Sequence, residues 1–340
     1  MSSERPPDRP RAESSQELQE DPQEEAPGLG WRAALGILRR LPQGALSRGA
    51  GWVAERRIPR GLRRRVIRGF AGAVGADLSE AEEAPEAYAS ISEFFTRRLE
   101  DGARDWPDDP EMPGSPVDGV VGALGAIRDG ELIQAKGIRY RVEELLGEGP
   151  HSDPFHPSAG HPVPLVPPAG SFARGRFLTL YLGPRHYHRI HTPVTGRVRW
   201  ARALPGALLP VNAPAVQSVP DLFPRNERLV AILSREDRAP VAVVAVGAYN
   251  VGRISARFDE GWNGPQGRGV TNRRGRRGVE TRAYDPPREI QRGEELMAFH
   301  LGSTVVLLFA DEPRDFDRHL QLGREVALGQ PLFPPSRARG

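Results

Sequence analysis

The sequence predicts an α+β protein in which N-terminal amphipathic helices precede a β-rich domain, arranged as a sandwich-like pair of sheets or a hybrid barrel. Three observations lead there. The 38 glycines and 34 prolines in 340 residues punctuate the chain too often for a helical bundle. Helical spacing of apolar residues fades near residue 100. From about residue 115 the apolar runs are short and bounded by Gly, Pro and Asp, the pattern of strands joined by turns.

Residues 1–29 are acidic, polar and proline-bearing. They contain no apolar core of a secretory signal and read as a disordered tail. Residues 30–104 form a second unit. Trp31, Leu35 and Leu38 fall at helical spacing, as do Leu62, Val66 and Phe70, with Pro42 and Pro59 breaking the segment. Between Trp31 and Arg68 there are eleven arginines against one acid, Glu55. Basic amphipathic helices edged by Trp suit a membrane surface. A basic hairpin packed on the main domain is the alternative. No aromatic-basic RNA motif follows, so a nucleic-acid partner is not expected. No stretch approaches the roughly 18 apolar residues that a membrane-spanning helix needs. Asp77 to Glu100 reads as a further helix, with Ile91, Phe94, Phe95 and Leu99 on one face, Ser90 or Ser92 as its cap and Gly102 as its end.

The β-rich domain is expected over residues 105–330, followed by a tail at 331–340. Strands are read in "GVVGALGAIRDGELIQAKGIRY", "RFLTLYL", "GRVRWARAL", "RLVAILS", "APVAVVAVGAYNVGRISARF" and "MAFHLGSTVVLLF". A short helix, "VEELLG", interrupts them. Residues 259–288 read as a long basic glycine-rich loop.

The chemistry-bearing residues are few. With no cysteine, thiolate nucleophiles and cysteine metal sites are excluded. Lys136 is the single lysine, so a lysine-bound cofactor has one candidate anchor. Of eight histidines, three cluster in "GPRHYHRIHTPVTGRV": His186, His188 and His191. The nearby prolines argue for a turn rather than a metal-binding helix, no H-E-x-x-H accompanies them, and no metal is expected. Asp118 lies in "SPVDG", first of all a turn signal. Gly302-Ser303-Thr304 interrupts an apolar strand, where a glycine marks a bend or a close backbone approach. Asp118, His191 and Ser303 are the ingredients of a carboxylate–imidazole–hydroxyl relay.

The chain resembles the phosphatidylserine decarboxylase proenzymes of the bacterial membrane-associated type. The likeness is carried in order by "SEFFTRRLEDGARDW", "SPVDG", "IQAKGIRYRVEELLG", "YLGPRHYHRIHTPVTGRV", "PVNAPAVQSVPDLFPRNERLVAIL", "VAVGAYNVGRI" and "AFHLGSTVVLLFA". It implies self-cleavage between Gly302 and Ser303, with Ser303 Oγ attacking the Gly302 carbonyl and Ser303 becoming an N-terminal pyruvoyl group, the cofactor. Asp118 and His191 match the acid and base of that step, and His188 matches the histidine that handles protons in decarboxylation. It further implies phosphatidylserine in membranes as substrate and phosphatidylethanolamine as product. The two fragments would stay associated, a homodimer is compatible, and the protein would lie peripherally on the cytoplasmic face of the cell membrane.

One departure is Met297, where the family often has glycine. Two rival readings remain: a serine hydrolase using the same Asp118, His191 and Ser303 without self-cleavage, and a non-catalytic membrane-binding module.

Overall fold

Strand β12, Thr304–Ala310, explains most of the architecture. All seven of its residues are buried. Val305, Leu307 and Phe309 belong to one core cluster, while Val306, Leu308 and Ala310 belong to another. A strand with both faces covered reads as an unbroken apolar run. In the computed structural model, residues 53–133, 139–148, 169–211, 215–216, 219–248, 253–263, 278–300 and 304–335 are described. The acidic tail, helices expected over 30–52, Lys136, Gly302 and Ser303 lie outside them.

The remaining strands are β1 (Gly119–Arg128), β2 (Glu131–Ile133), β3 (Arg139–Arg141), β4 (Gly175–Tyr181), β5 (Arg189–His191), β6 (Gly196–Leu204), β7 (Arg228–Arg235), β8 (Arg238–Val246), β9 (Ile254–Ala256), β10 (Glu280–Ile290), β11 (Glu295–Phe299) and β13 (Glu325–Val326). A ten-stranded sheet runs β10-β6-β7-β8-β12-β4-β1-β2-β3, with β13 also paired to β1. A three-stranded sheet runs β5-β11-β9. Among the described residues the large sheet is an open path, and no pairing closes it into a barrel.

One face of the large sheet packs against the small sheet through Ile190, Ile254, Met297 and Phe299. The C-terminal segment joins that core: Phe333 meets Phe309 edge to face, and Leu332 N–H donates to Pro113 O. The packed body therefore extends to Phe333, into the segment expected as a tail. The other face is covered by helix α3 (Val142–Leu146), by helix α4 (Leu222–Arg225) and by Phe172.

The N-terminal region contributes helices α1 (Arg63–Val74) and α2 (Ile91–Phe95). In α1, Ile67 and Ala71 face inward against Tyr88 and Phe94. Leu62, just before its start, and Val66 remain exposed. The helix expected over Asp77–Glu100 is only five residues long. Ser90 caps its start by accepting from Glu93 N–H, and Glu93 Oε2 accepts from Ala89 N–H just before the cap. It ends at Thr96 rather than at Gly102, because the flanking chain pairs instead, Ala81 with Leu99. The loop expected over 259–288 is also shorter, since Glu280 onward is strand β10 against β6.

Gly175, where the chain enters β4, has φ +139°, and a Cβ there would collide with the Phe309 carbonyl oxygen of β12. Gly175→Ala is expected to cost about 3 kcal/mol through backbone strain and the lost β4–β12 closure. Chemical denaturation measures it. A loss under about 0.5 kcal/mol, as for an ordinary surface change, would show that the strands simply part there.

Candidate active site

Strands β1 and β12 both pair antiparallel to β4, so they run in the same direction. Val120 and Thr304 each lie opposite Tyr181. Asp118 lies two residues before Val120, so it falls at the end of the sheet where β12 begins at Thr304. The chain reaches Thr304 from a different sheet, because β11 pairs only with β5 and β9. The single strand expected across "MAFHLGSTVVLLF" is thus two: β11 ends at Phe299 in the small sheet and β12 starts at Thr304 in the large one.

The histidines come from the segment that joins β4 to β5. His191 N–H donates to Pro116 O, which seats β5 beside "SPVDG". There Ser115 Oγ donates to the Val117 carbonyl and holds the turn. His191 Nδ1 lies 2.6 Å from Gly293 O, and its Nε2 lies 3.1 Å from the Tyr187 hydroxyl. A carbonyl can only accept, so Nδ1 carries the proton and Nε2 offers its lone pair. The Gly293 carbonyl is itself fixed. Gly293 packs on Trp106, and the neighbouring Arg292 donates to the carbonyls of Pro107 and Met112. Burial lowers the His191 pKa, with the Gly293 bond and nearby acids opposing it more weakly. The ring is a neutral base.

Asp118 is buried and bound elsewhere. Its Oδ1 accepts from Arg104 Nε at 2.9 Å and from Leu328 N–H at 2.7 Å, and its Oδ2 accepts from Arg104 Nη2 at 2.7 Å. Arg104 also grips both oxygens of Glu80. Two carboxylates hold the guanidinium pKa above its usual range. Asp118 makes no hydrogen bond to His191 among the described residues; its charge reaches that ring only as a minor effect raising its basicity. Arg104, Tyr187, His191 and Gly293 share the wall of a cavity of about 510 Å³, within the usual range for small-molecule sites.

His188 is placed differently. Its carbonyl accepts from Phe299 N–H at the end of β11. Its ring is fully buried, tilted against Phe95 of α2 with centroids 3.9 Å apart. Among the described residues neither ring nitrogen has a hydrogen-bond partner. Burial first, and then the charge of Arg97, push its pKa well below the usual value, while the His186 backbone opposes this without reaching bonding geometry. Helix α2 is tied over it by Arg189, which donates to Thr96 O and grips Glu295 with two bonds. Buried polar groups are normally paired, so a doubly unpartnered imidazole points to a missing substrate or reacting group.

The sequence did not single out Tyr187, Arg104, Gly293 or Arg97 for this site. "HYHRIH" carried a signal for the first, a hydroxyl flanked by histidines. The others act across 14 to 102 residues of sequence. Among the described residues no group of three or more His, Asp or Glu side chains is arranged to hold a metal.

Residues 91–333 match the family described as Phosphatidylserine decarboxylase. The chain is 39% identical over 301 residues to a phosphatidylserine decarboxylase proenzyme of Anaeromyxobacter sp. (strain K), covering 88% of this chain and 98% of that one. It is 40% identical over 297 residues to the proenzyme of Azotobacter vinelandii, covering 86% and 94%. Against the proenzyme of Brevibacillus brevis it is 35% identical over 304 residues, covering 89% and 98%.

The buried histidines make stability depend on pH. The pKa values of His186, His188 and His191 are lowered, and that of His300 falls to about 4, mainly through burial. The folded state then binds fewer protons than the unfolded chain below pH 6.5. Their contribution is complete above 6.5 and is lost as pH falls through the depressed values. His300 alone should account for roughly 3 kcal/mol between pH 7.5 and 4. Denaturation midpoints at pH 7.5, 6, 5 and 4 should fall steadily, and less steeply in His300→Gln. A flat profile over that window would contradict the burial of these rings.

Proposed function

The chain belongs to the phosphatidylserine decarboxylase family, and on that premise we propose that Asp118, His188, His191 and Ser303 carry its chemistry. The protein is a carboxy-lyase that decarboxylates phosphatidylserine to phosphatidylethanolamine, with a covalent pyruvoyl group made by self-cleavage. The observation that best supports these roles is the pair of neutral histidines carried by one short segment: His191, whose Nε2 lone pair meets the Tyr187 hydroxyl, and His188, whose buried ring has no partner among the described residues beside β11.

In the first stage Ser303 Oγ attacks the Gly302 carbonyl carbon. His191 Nε2 takes the hydroxyl proton once Tyr187 yields that lone pair, and returns it to the departing Ser303 nitrogen. A C–O ester bond replaces the C–N peptide bond. Loss of the Ser303 α-proton breaks the Cβ–Oγ bond, leaving a carboxylate on Gly302 and dehydroalanine at 303. Water then releases ammonia. Asp118, clamped by Arg104, supplies fixed negative charge that favours a proton on His191.

The pyruvoyl group supplies a carbonyl that draws electrons from the amine-bearing carbon of the substrate. The protein residues bind and move protons around it. His188 is the proposed proton carrier to the α-carbon after carbon dioxide leaves. It is neutral in the free protein, and an anionic head group bound beside it would raise its affinity for a proton. Water is kept away by Phe95 and α2.

The membrane attachment proposed is peripheral and cytoplasmic. Among the described residues no helix is long and apolar enough to cross a membrane. Leu62 and Val66 are exposed beside Arg64, Arg65 and Arg68, while Ile67 and Ala71 hold α1 to the body. Such a face combines apolar insertion with about 1 kcal/mol per basic residue near an anionic leaflet. The domain plan proposed is an acidic tail, a membrane-facing helical unit to residue 104 and the catalytic β domain after it; a homodimer remains a proposal for sedimentation to test.

Mass spectrometry of the denatured protein should show a 302-residue fragment and one of 340 − 302 = 38 residues, the latter carrying the blocked N-terminus. Ser303→Ala and His191→Ala should remain full length. His188→Ala should cleave and then decarboxylate at least 100-fold more slowly, the scale expected for a lost acid–base group. Full-length chain in an active preparation would favour the serine hydrolase instead.

Vesicle sedimentation checks the membrane face. Leu62→Asp with Val66→Asp should lower binding to anionic vesicles about tenfold or more while self-cleavage proceeds normally. Unchanged binding would move the contact elsewhere.

A further inference from the structure

Helix α2 covers a second buried group without partners. Arg97, two residues past the helix, is 3% exposed. Its Nη2 reaches the Arg185 carbonyl at 3.4 Å, and its guanidinium carbon lies 4.9 Å from the Phe94 ring centroid. Nε and Nη1 have no hydrogen-bond partner. No ion pair to Arg97 is formed among the described residues, whereas Arg104 is held by Asp118 and Glu80, Arg189 by Glu295 and Thr96, and Arg292 by three carbonyls; Arg98 and Arg257, which line the cavity, are exposed to solvent. A buried, unpaired guanidinium is costly, and it persists where an anion arrives to complete it. The field of Arg97 bears on His188, whose two ring nitrogens are equally unpartnered.

The substrate head group brings two anions, the carboxylate and the phosphodiester. A guanidinium on the carboxylate would stabilise the ground state and lose its partner as carbon dioxide forms, which slows the reaction. The phosphodiester keeps its charge from binding to product. It is joined to the α-carbon through only one methylene and one ester oxygen. A group that protonates the α-carbon and a cation that holds the phosphodiester must therefore be near neighbours. Arg97 and His188 are such a pair, and the planar fork of arginine matches two phosphate oxygens.

We propose that Arg97 is the anchor for the phosphodiester of the lipid head group, holding it beside His188 under helix α2. This rests on the decarboxylase reading above. The anchor acts in binding and selectivity, not in self-cleavage.

The test compares two substrates in detergent micelles with the self-cleaved enzyme: phosphatidylserine, and a diacyl lipid bearing serine through a neutral ether linker. The wild type should prefer phosphatidylserine by about 100-fold in kcat/KM, the scale of charge-assisted hydrogen bonds. Arg97→Met should lose that preference, mostly through KM, with the neutral substrate changed less than about threefold, and Arg97→Lys should keep part of it. A structural role alone would depress both substrates alike and would overturn the proposal. Should Arg97→Met fail to self-cleave, the wild-type comparison decides by itself: equal use of the two lipids sinks the anchor. If self-cleaved wild type decarboxylates neither lipid, the decarboxylase reading falls first, and the anchor with it.

Discussion

The pairing of β12 on both of its edges is the constraint on which the rest depends. Thr304 to Ala310 are in register with β4, and Thr304 to Phe309 with β8. The strand sits mid-sheet with side chains in both cores. A cut just before Thr304 would leave its ladder intact. The residues after it add further ties: Val326 pairs with Gly119, Leu332 N–H donates to Pro113 O, and Phe333 packs on Phe309 and Phe316. The fragment that the proposed cut would release is too short to hold a core of its own. As a central part of the larger fragment's core, it would be severed without being released.

The segment 301–303 is flanked by Phe299, anchored in the small sheet, and by Thr304, anchored in the large sheet. Around it the fold spends its polar groups unevenly. Arg104 fixes Asp118, Arg292 and Trp106 fix the Gly293 carbonyl, and that carbonyl fixes the His191 tautomer. These groups are satisfied, so they hold shape. His188 and Arg97 are buried and unsatisfied, so they are ready for a ligand.

Much of this was legible in the sequence. Apolar runs such as "VAVVAV" and "TVVLLFA" were legible as strands, but the single strand read across "MAFHLGSTVVLLF" is two strands in different sheets. The helical reading of Asp77–Glu100 was too long. The apolar spacing of Ile91, Phe94 and Phe95 was real, but the chain on either side found strand-like partners, Ala81 with Leu99, which spacing cannot reveal. The glycine-rich stretch before β10 hid a strand because Glu280 to Glu289 is a mostly polar edge that pairs along one side only. In the site, Asp118, His188 and His191 stood out by residue type. Arg97 and Arg104 did not, because one of them is structural and the other is not, and only the partners they find tell them apart. In a chain with 47 basic residues, nearly all arginine, composition gives no such signal.

That composition also suits the chemistry. A reactive carbonyl on the chain condenses with neutral amines, and a nearby lysine desolvated by burial would be one. Arginine supplies positive charge without that hazard, because its guanidinium stays protonated even when buried. Arg228 shows how far burial pushes it here: fully enclosed by the carbonyls of Glu144, Leu145 and Asn226, its pKa is lowered only to about 9. Near neutral pH it remains a cation. The histidines respond oppositely, since burial leaves them neutral. Burial thus sorts the two basic side chains by charge: buried arginines stay cationic, and buried histidines stay neutral.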